Sequence, residues 1–398
     1  MGEITGNGTK GYEMAVTGRR GNMAFDKTSV CILSMQDVQN MGSLLQSYSL
    51  KKMIEHMGYD VFFLDIERRE EENRLIADFQ SFPDEFQSSK FLARLKRVDR
   101  YFINRVLMKS KIKRQNTIYD EFRTNVLNTG QSRKSYDYCV IGSDEVFNCL
   151  QESPWGFTSQ LFGDVKEAEH VITYAACCGA TTVDKIPSDA RKCICAAMDH
   201  LEAISVRDAN TRMFVKEISG KEAEEHLDPV LIGDFDKEME EHKNISSYPT
   251  RYCVIYAYYN RIHKAEEIEA IRIFCKKHDL VPIAVGSPQM WIKNYMTATP
   301  FQCLNLFKAA DFVITDTFHG TIFSAKYSPR FASVVRGSNR NKLQDLINRI
   351  DISDHQISSI SVDELERVYS RIHDKDRFNV LIRKERERTL SYLSDNLK

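Results

Sequence analysis

The residues with the clearest chemical potential stand together at His319-Gly320, inside the run DFVITDTFHGTIFS, Asp311–Ser324. Histidine can hold or release a proton near neutral pH, and glycine beside it would let a ligand approach the backbone. Phe312-Val313-Ile314 reads as a short buried strand, Thr315 to Thr317 as a polar cap, and Phe318, Ile322 and Ala325 as the inner face of a helix. His319 therefore belongs where a strand hands over to a helix. Open α/β sheets bind ligands at such places, and free helix N–H groups favour anions there. The alternative is a histidine that only caps its helix. Three other strand ends carry reactive groups: Asn40 with Ser43, Asp144 with Glu145, and Arg207 with Asp208. An arginine fork suits a carboxylate or phosphate, although Arg207-Asp208 could equally be a local ion pair and Asp144 a helix cap. Arg336, Arg340 and Lys342 follow the last strand and form either a second basic patch near His319 or solvated loop charge.

The elements that must position these residues alternate along the chain. Residues 1–28 read as a flexible arm. From Ser29, a strand (Val30–Leu33), a helix ending at Gly58 and a second strand (Asp60–Leu64) begin a Rossmann-like sheet. It lacks GxGxxG, so nothing in it argues for a dinucleotide. A helical insert over 67–130 interrupts the alternation. Within it, Lys90–Arg114 carries ten Lys or Arg and one acid, Asp99, over the stripe Phe91, Leu95, Val98, Phe102 and Val106. Such a helix either lies on an anionic membrane surface or packs its stripe on the core and turns its charges to water. Alternation resumes at Tyr138 and ends at Asp228-Pro229; Gly233–Pro249 reads as a linker. The alternation thus predicts an α/β fold of two Rossmann-like domains over 29–232 and 250–352, whose strand ends can face one cleft, with C-terminal helices over 361–398.

Composition narrows the function. With 398 residues and a formal net charge of −1, no overall field draws the chain to nucleic acid. Its ten cysteines include no CxxC, so they read as buried small hydrophobes in a reducing cytosol rather than a zinc cage. The first residues contain no apolar signal segment, and no run of about 18 apolar residues occurs to span a membrane. A cytoplasmic protein is expected, peripheral to the inner membrane face if the basic helix docks there.

Several blocks, taken in order, resemble the polysaccharide pyruvyl transferase family: MGSLLQSYSLKKMIEHMGY at Met41–Tyr59, IGSDEVFN at Ile141–Asn148, TYAACCGA at Thr173–Ala180, ISVRD at Ile204–Asp208, LDPVL at Leu227–Leu231 and ADFVITDTFHGTIFSAKY at Ala310–Tyr327. The resemblance implies a GT-B-like fold, two Rossmann-like domains facing across a cleft with the C-terminal helices packing back across the first, with phosphoenolpyruvate as donor and a glycan or lipid-linked oligosaccharide as acceptor. No metal or cofactor is implied beyond the donor itself. The family's functional His and Arg fall on His319 and Arg207, with Asp144 or Glu145 as candidate base. Thr317, Gly320, Thr321, Arg336, Arg340 and Lys342 are then expected on the donor side, and Asn40, Ser43, Ser287 and Gln289 on the acceptor side. Glu145 and Phe147 stand where the family usually has Gln and Trp, and Lys342 where it usually has Arg. A nucleotide-sugar glycosyltransferase and a non-catalytic glycan-binding protein are the rival readings of the same fold.

Overall fold

The computed structural model describes residues 27–76, 98–151, 153–245 and 248–398. The first half runs β1 (Ser29–Leu33), α1 (Met41–His56), β2 (Asp60–Phe63), α2 (Glu70–Arg74), α3 (Val98–Phe122), β3 (Tyr136–Asp144), β4 (Ala168–Ala176), α4 (Ser188–Met198), β5 (Leu201–Ala203), β6 (Ser205–Val206), α5 (Ala209–Ser219), β7 (Glu224–Glu225) and α6 (Pro229–Ile232). The second runs α7 (Asp236–Glu241), β8 (Tyr252–Tyr256), α8 (Ala265–Lys277), β9 (Val281–Val285), β10 (Tyr295–Met296), α9 (Pro300–Ala309), β11 (Phe312–Thr315), α10 (Phe318–Tyr327), β12 (Phe331–Val334), α11 (Arg340–Arg349), β13 (Gln356–Ile357), α12 (Val362–Tyr369) and α13 (Lys375–Asn396). The short α7 stands inside the stretch expected to be linker.

Every described strand pairing is parallel. The first sheet is ordered β2-β1-β3-β4-β6-β7, with β5 also on β4; the second is ordered β10-β9-β8-β11-β12-β13. The α/β class is therefore as expected. Counted within its own half, the second sheet has the order 3-2-1-4-5-6, the dinucleotide-fold arrangement. Its strand order reverses between β8 and β11, and that of the first sheet reverses between β1 and β3; ligands collect at such reversals.

Burial explains why these segments are strands. Cys31, Ile32 and Leu33 of β1 and Phe312, Val313 and Ile314 of β11 are wholly inaccessible. Continuous apolar runs suit strands covered on both faces, and each such large side chain contributes about 2 kcal/mol. Helix α1 is buried all round its first three turns, polar side chains included. Its Gln46 Nε2 donates to Ser34 Oγ at 2.6 Å, and its Oε1 accepts from Ser143 N at 3.1 Å and from Ser143 Oγ at 2.8 Å. Gln46 thereby fixes the turn that ends β3. Of the C-terminal helices, α12 puts Leu365 and Val368 into the core of the second half. Helix α13 crosses back: Tyr392 Oη donates to Thr173 O at 2.8 Å, and Thr389 meets the Tyr174 hydroxyl at 3.1 Å.

Two histidines sit in these seams. His226 meets Ser205 Oγ through Nδ1 at 2.9 Å and lies against the Tyr392 ring, while His373 meets Ala325 O through Nε2 at 3.0 Å. Burial, helped by nearby Arg388 for one and Lys375 for the other, pulls each down to about 4. The unfolded imidazoles take up protons near pH 6.5, so the folded state loses stability as pH falls from there towards 4 and keeps it above. We expect the thermal midpoint to drop over that window, and the double variant His226→Gln, His373→Gln to show a shallower drop. Equal slopes for the two proteins in a calorimetric pH series would refute the assignment.

Candidate active site

The carboxyl ends of both sheets supply one cluster. Asp228 caps α6, its Oδ1 accepting from Val230 N at 2.9 Å. Its Oδ2 faces Arg207 Nη1 at 3.1 Å and His319 Nε2 at 3.5 Å. Arg207, at the end of β6, also stands 3.4 Å from Asp144 Oδ1, while Asp144 Oδ2 accepts from Ser43 Oγ at 2.8 Å. The Arg207 guanidinium rests 4.1 Å from the centroid of the Phe318 ring, a cation–π contact made from the other half of the chain. Beside it, Lys342 of α11 reaches Glu145 Oε1 at 2.6 Å, and Asn148 Nδ2 donates to Glu145 Oε2 at 2.7 Å.

Electrostatics favour the charged forms of the three carboxylates and of Lys342. Burial alone would raise the Asp144 carboxyl, but His319, Arg207 and the Ser43 hydroxyl outweigh it and bring it below the usual carboxylate range. Asp228 is depressed likewise, by His319, Arg207 and the Val230 N–H against its burial. Glu145 is lowered because Lys342 overcomes burial, and Lys342 is raised in return by Glu145. Within this cluster two atoms are buried without a hydrogen-bond partner from the protein, Arg207 Nε and His319 Nε2. The 3.5 Å from His319 to Asp228 is an ion-pair separation, long for a good hydrogen bond.

The glycine that opens this site is Gly42. A Cβ there would lie 2.2 Å from both Cγ and Nδ1 of His319, so any side chain at 42 displaces the imidazole. Gly320 has a different job. Its N–H is taken by the Thr317 cap at 2.9 Å, and an added Cβ would strike Thr315 Oγ1 at 2.1 Å. It lets the helix pack on the strand end and does not open the backbone to a ligand.

A pocket enclosing about 380 Å3 of empty space, its open mouth included, is lined by Asn40, Met41, Tyr119, Tyr258, Ser287, Thr317 and His319 among others. Asn40, Ser287, Thr317 and His319 thus come together as expected, and Ser43, Asp144, Glu145, Arg207 and Lys342 form the charged wall described above. Other expected residues lie elsewhere. Thr321 is buried and ties α10 to β12 through Ser333 at 2.9 Å. Arg336 is committed to Asp316 at 2.8 Å and to both oxygens of Glu267 at 2.8 and 3.2 Å. Arg340 is exposed at the start of α11. Gln289 is inaccessible and braces a loop, with Nε2 donating to Tyr258 O at 2.8 Å and Oε1 accepting from Ile262 N at 3.1 Å. Asp228 was not among the candidates read from the sequence, where Asp-Pro signalled only a boundary. No group of three or more His, Cys, Asp or Glu among the described residues could hold a metal ion.

A family model for polysaccharide pyruvyl transferase matches residues 40–334. The chain belongs to that family. No curated protein sequence matches it. Among solved structures, it is similar to UDP-GlcNAc 2-epimerase from Methanocaldococcus jannaschii, at 12% identity and TM-score 0.48, covering 92% of this chain and 99% of that one. Similarity also extends to Arabidopsis thaliana UGT89C1 complexed with UDP-L-rhamnose, at 10% identity and TM-score 0.46, covering 92% and 98%. The UDP-N-acetylglucosamine 2-epimerase from Rickettsia bellii is similar at 11% identity and TM-score 0.44, covering 93% and 99%.

Asp228→Asn tests the cluster directly. It leaves buried Arg207 facing Asp144 alone, and removing one partner of a buried ion pair costs about 3 kcal/mol or more. Denaturant unfolding should register that loss, whereas Asp189→Asn, exposed in the first turn of α4, should stay within about 0.5 kcal/mol. Similar stability in the two variants would mean that Asp228 does not anchor Arg207.

Proposed function

We propose that the protein transfers a pyruvyl group from phosphoenolpyruvate to a pair of hydroxyls on a glycan sugar, giving a cyclic ketal. The observation that carries this reading is the meeting of His319 and Arg207, from two different sheets, on the one carboxylate of Asp228. The reaction needs an acid to protonate the donor's methylene carbon, a base to take the acceptor's hydroxyl proton, and cations for a carboxylate and a phosphate. His319 is assigned as the acid, held in place by Asp228; Arg207 and Lys342 are the cations, and Asp144 or Glu145 is the base. One acceptor hydroxyl adds to C2 while C3 gains a proton. The C2–O bond to phosphate then breaks, the second hydroxyl oxygen bonds to C2 to close the ketal, and its proton leaves with the phosphate.

Both cations are already paired, so the donor must exchange for a carboxylate. Glu145 is the easier to displace, because its contact with Lys342 is a single ion pair between the two halves. Freed from Lys342, its carboxyl loses the interaction that lowers it and becomes a better base. Donor binding before acceptor follows from this.

The test is release of inorganic phosphate from phosphoenolpyruvate in the presence of a glycan acceptor. His319→Ala should reduce turnover at least about 100-fold, the range of one positioned proton donor. Arg207→Lys should raise the donor KM by more than its change in melting temperature explains, because an ammonium cannot replace the fork. Turnover of a UDP-sugar in place of phosphoenolpyruvate would select the glycosyltransferase reading, and binding of glycans without turnover of either donor the non-catalytic one.

Membrane docking through Lys90–Arg114 belongs with this proposal. Residues 90–97 and the side chains of 98–107 lie outside the described residues, and with them Phe91, Leu95, Val98, Phe102 and Val106 of the stripe. In the described turns of α3, Met108 is buried in the second half's core, Ile112 packs against that core, and Lys109, Lys113 and Arg114 are exposed. No helix of the described residues is long and apolar enough to cross a membrane. Binding to anionic vesicles that disappears when Lys96, Arg97 and Arg100 become Glu would support docking, since each basic side chain near such a surface contributes about 1 kcal/mol. Absence of binding at low salt would remove it.

A further inference from the structure

Two adjacent tyrosines in the loop after β8 are unusually open for large rings. Tyr258 is 45% exposed and Tyr259 50%. The loop that carries them is rigidly braced. Gln289 Nε2 donates to Tyr258 O at 2.8 Å, Arg261 N donates to Tyr258 O at 3.0 Å, and Asn260 N donates to Pro288 O at 3.0 Å. Further along, Ile262 N donates to Gln289 Oε1 at 3.1 Å, and Trp291 Nε1 donates to Ile262 O at 2.9 Å. An exposed ring on a fixed backbone presents apolar area at little further entropic cost to a binding partner.

The two rings differ in what they face. Tyr258 lines the pocket that holds His319, Asn40, Ser287 and Thr317, and the charges of Lys342, Glu145 and Asp144 act on its phenol. Tyr259 does not line that pocket; its hydroxyl meets Met290 Sδ at 3.7 Å. Two other phenol rings line the pocket, Tyr119 and Tyr256, but both are buried, so among the lining tyrosines Tyr258 alone offers an open face beside the polar Asn40, Ser287, Thr317 and His319. A donor made of a carboxylate and a phosphate has no use for an open aromatic face beside them. A pyranose does, because one face of its ring is a sheet of C–H bonds while its rim is hydroxyl, and tyrosine pairs an apolar ring with a polar tip.

We infer that Tyr258 is the acceptor platform, stacking on the C–H face of the pyranose to be modified while Asn40 and Ser287 meet its hydroxyl rim. This deepens the pyruvyl-transfer reading and rests on it for the identity of the reaction, but not for the binding. The platform also gives Gln289 its role: it belongs to the acceptor side as the brace of the loop, without touching the sugar.

The test separates binding from chemistry. Saturation-transfer NMR is run without donor, using methyl glycosides of glucose, galactose, mannose and N-acetylglucosamine at millimolar concentration. Wild type should transfer saturation to at least one of them. Tyr258→Phe should keep the transfer, because the ring remains. Tyr258→Ala should lose it, and Tyr259→Ala, equally exposed but turned away, should keep it. With turnover in hand, Tyr258→Ala should raise the acceptor KM about tenfold, as expected for one aromatic stack, and leave the phosphoenolpyruvate KM within twofold. The platform is overturned by transfer that survives in Tyr258→Ala, by equal losses in Tyr258→Ala and Tyr259→Ala, or by no transfer to any glycoside in wild type. If phosphoenolpyruvate is not turned over but the NMR pattern holds, the platform stands and only the donor chemistry falls.

Discussion

The Asp228 carboxylate is the contact on which the rest of the site depends. One oxygen closes the start of a four-residue helix; the other lies between a guanidinium from the first sheet and an imidazole from the second. A wholly buried carboxylate is tolerable only when such partners surround it. Separating the two halves at this point would take His319 and the Phe318 ring away from the Asp228–Arg207 pair. Arg207 is held from other sides too: Phe318 lies beneath its guanidinium, and its backbone carbonyl accepts from Arg349 Nη1 of α11 at 2.6 Å.

Helix α10 registers the halves a second time. Lys326 lies seven residues after His319, two turns on and on the same face of the helix. Its ammonium donates to Val230 O at 2.8 Å, Leu231 O at 3.2 Å and Gly233 O at 2.5 Å. These carbonyls end the helix that Asp228 begins. The same two-turn stretch of α10 therefore touches both ends of α6, His319 at the cap and Lys326 at the tail. Burial pulls the Lys326 ammonium down to about 7, a sign of how far this joint is withdrawn from solvent. Rigidity of this kind suits the acid role proposed for His319, which needs its distance to a reacting atom held within a fraction of an ångström.

How much of this could be read from the chain follows the range of the interactions. The α/β class and the placement of His319 and Arg207 were legible, because each depends on a local switch from an apolar strand to a polar turn. Asp228 was not, because its local signal, an acid before proline, is also that of any helix start; its partners lie 21 and 91 residues further off in sequence by way of Arg207 and His319. Arg336 shows the converse. Its neighbours in sequence suggested a free basic patch, yet the carboxylates that bind it, Asp316 and Glu267, arrive from β11 and α8. Gln289 stands two residues from a pocket-lining serine, but its amide turns inward to the loop. Spacing reveals which end of an element a residue occupies, and only packing decides which way a long side chain turns.

The two orphaned atoms bear on what the site is built for. A buried polar group without a partner costs about 1–3 kcal/mol, and few persist in a folded protein. Here Arg207 Nε and His319 Nε2 are both left so, on side chains that flank the same carboxylate. The 3.5 Å between His319 and Asp228 is an ion-pair separation, short of a full hydrogen bond. Gly42 bounds the imidazole on the other side, where the ring fills the space that a Cβ would take. The imidazole is thus confined between a backbone that leaves just enough room and a carboxylate slightly too far away. Polar atoms free to take a further partner, set between the strand-order reversals of two facing sheets, stand where an α/β protein presents a substrate to its reactive groups.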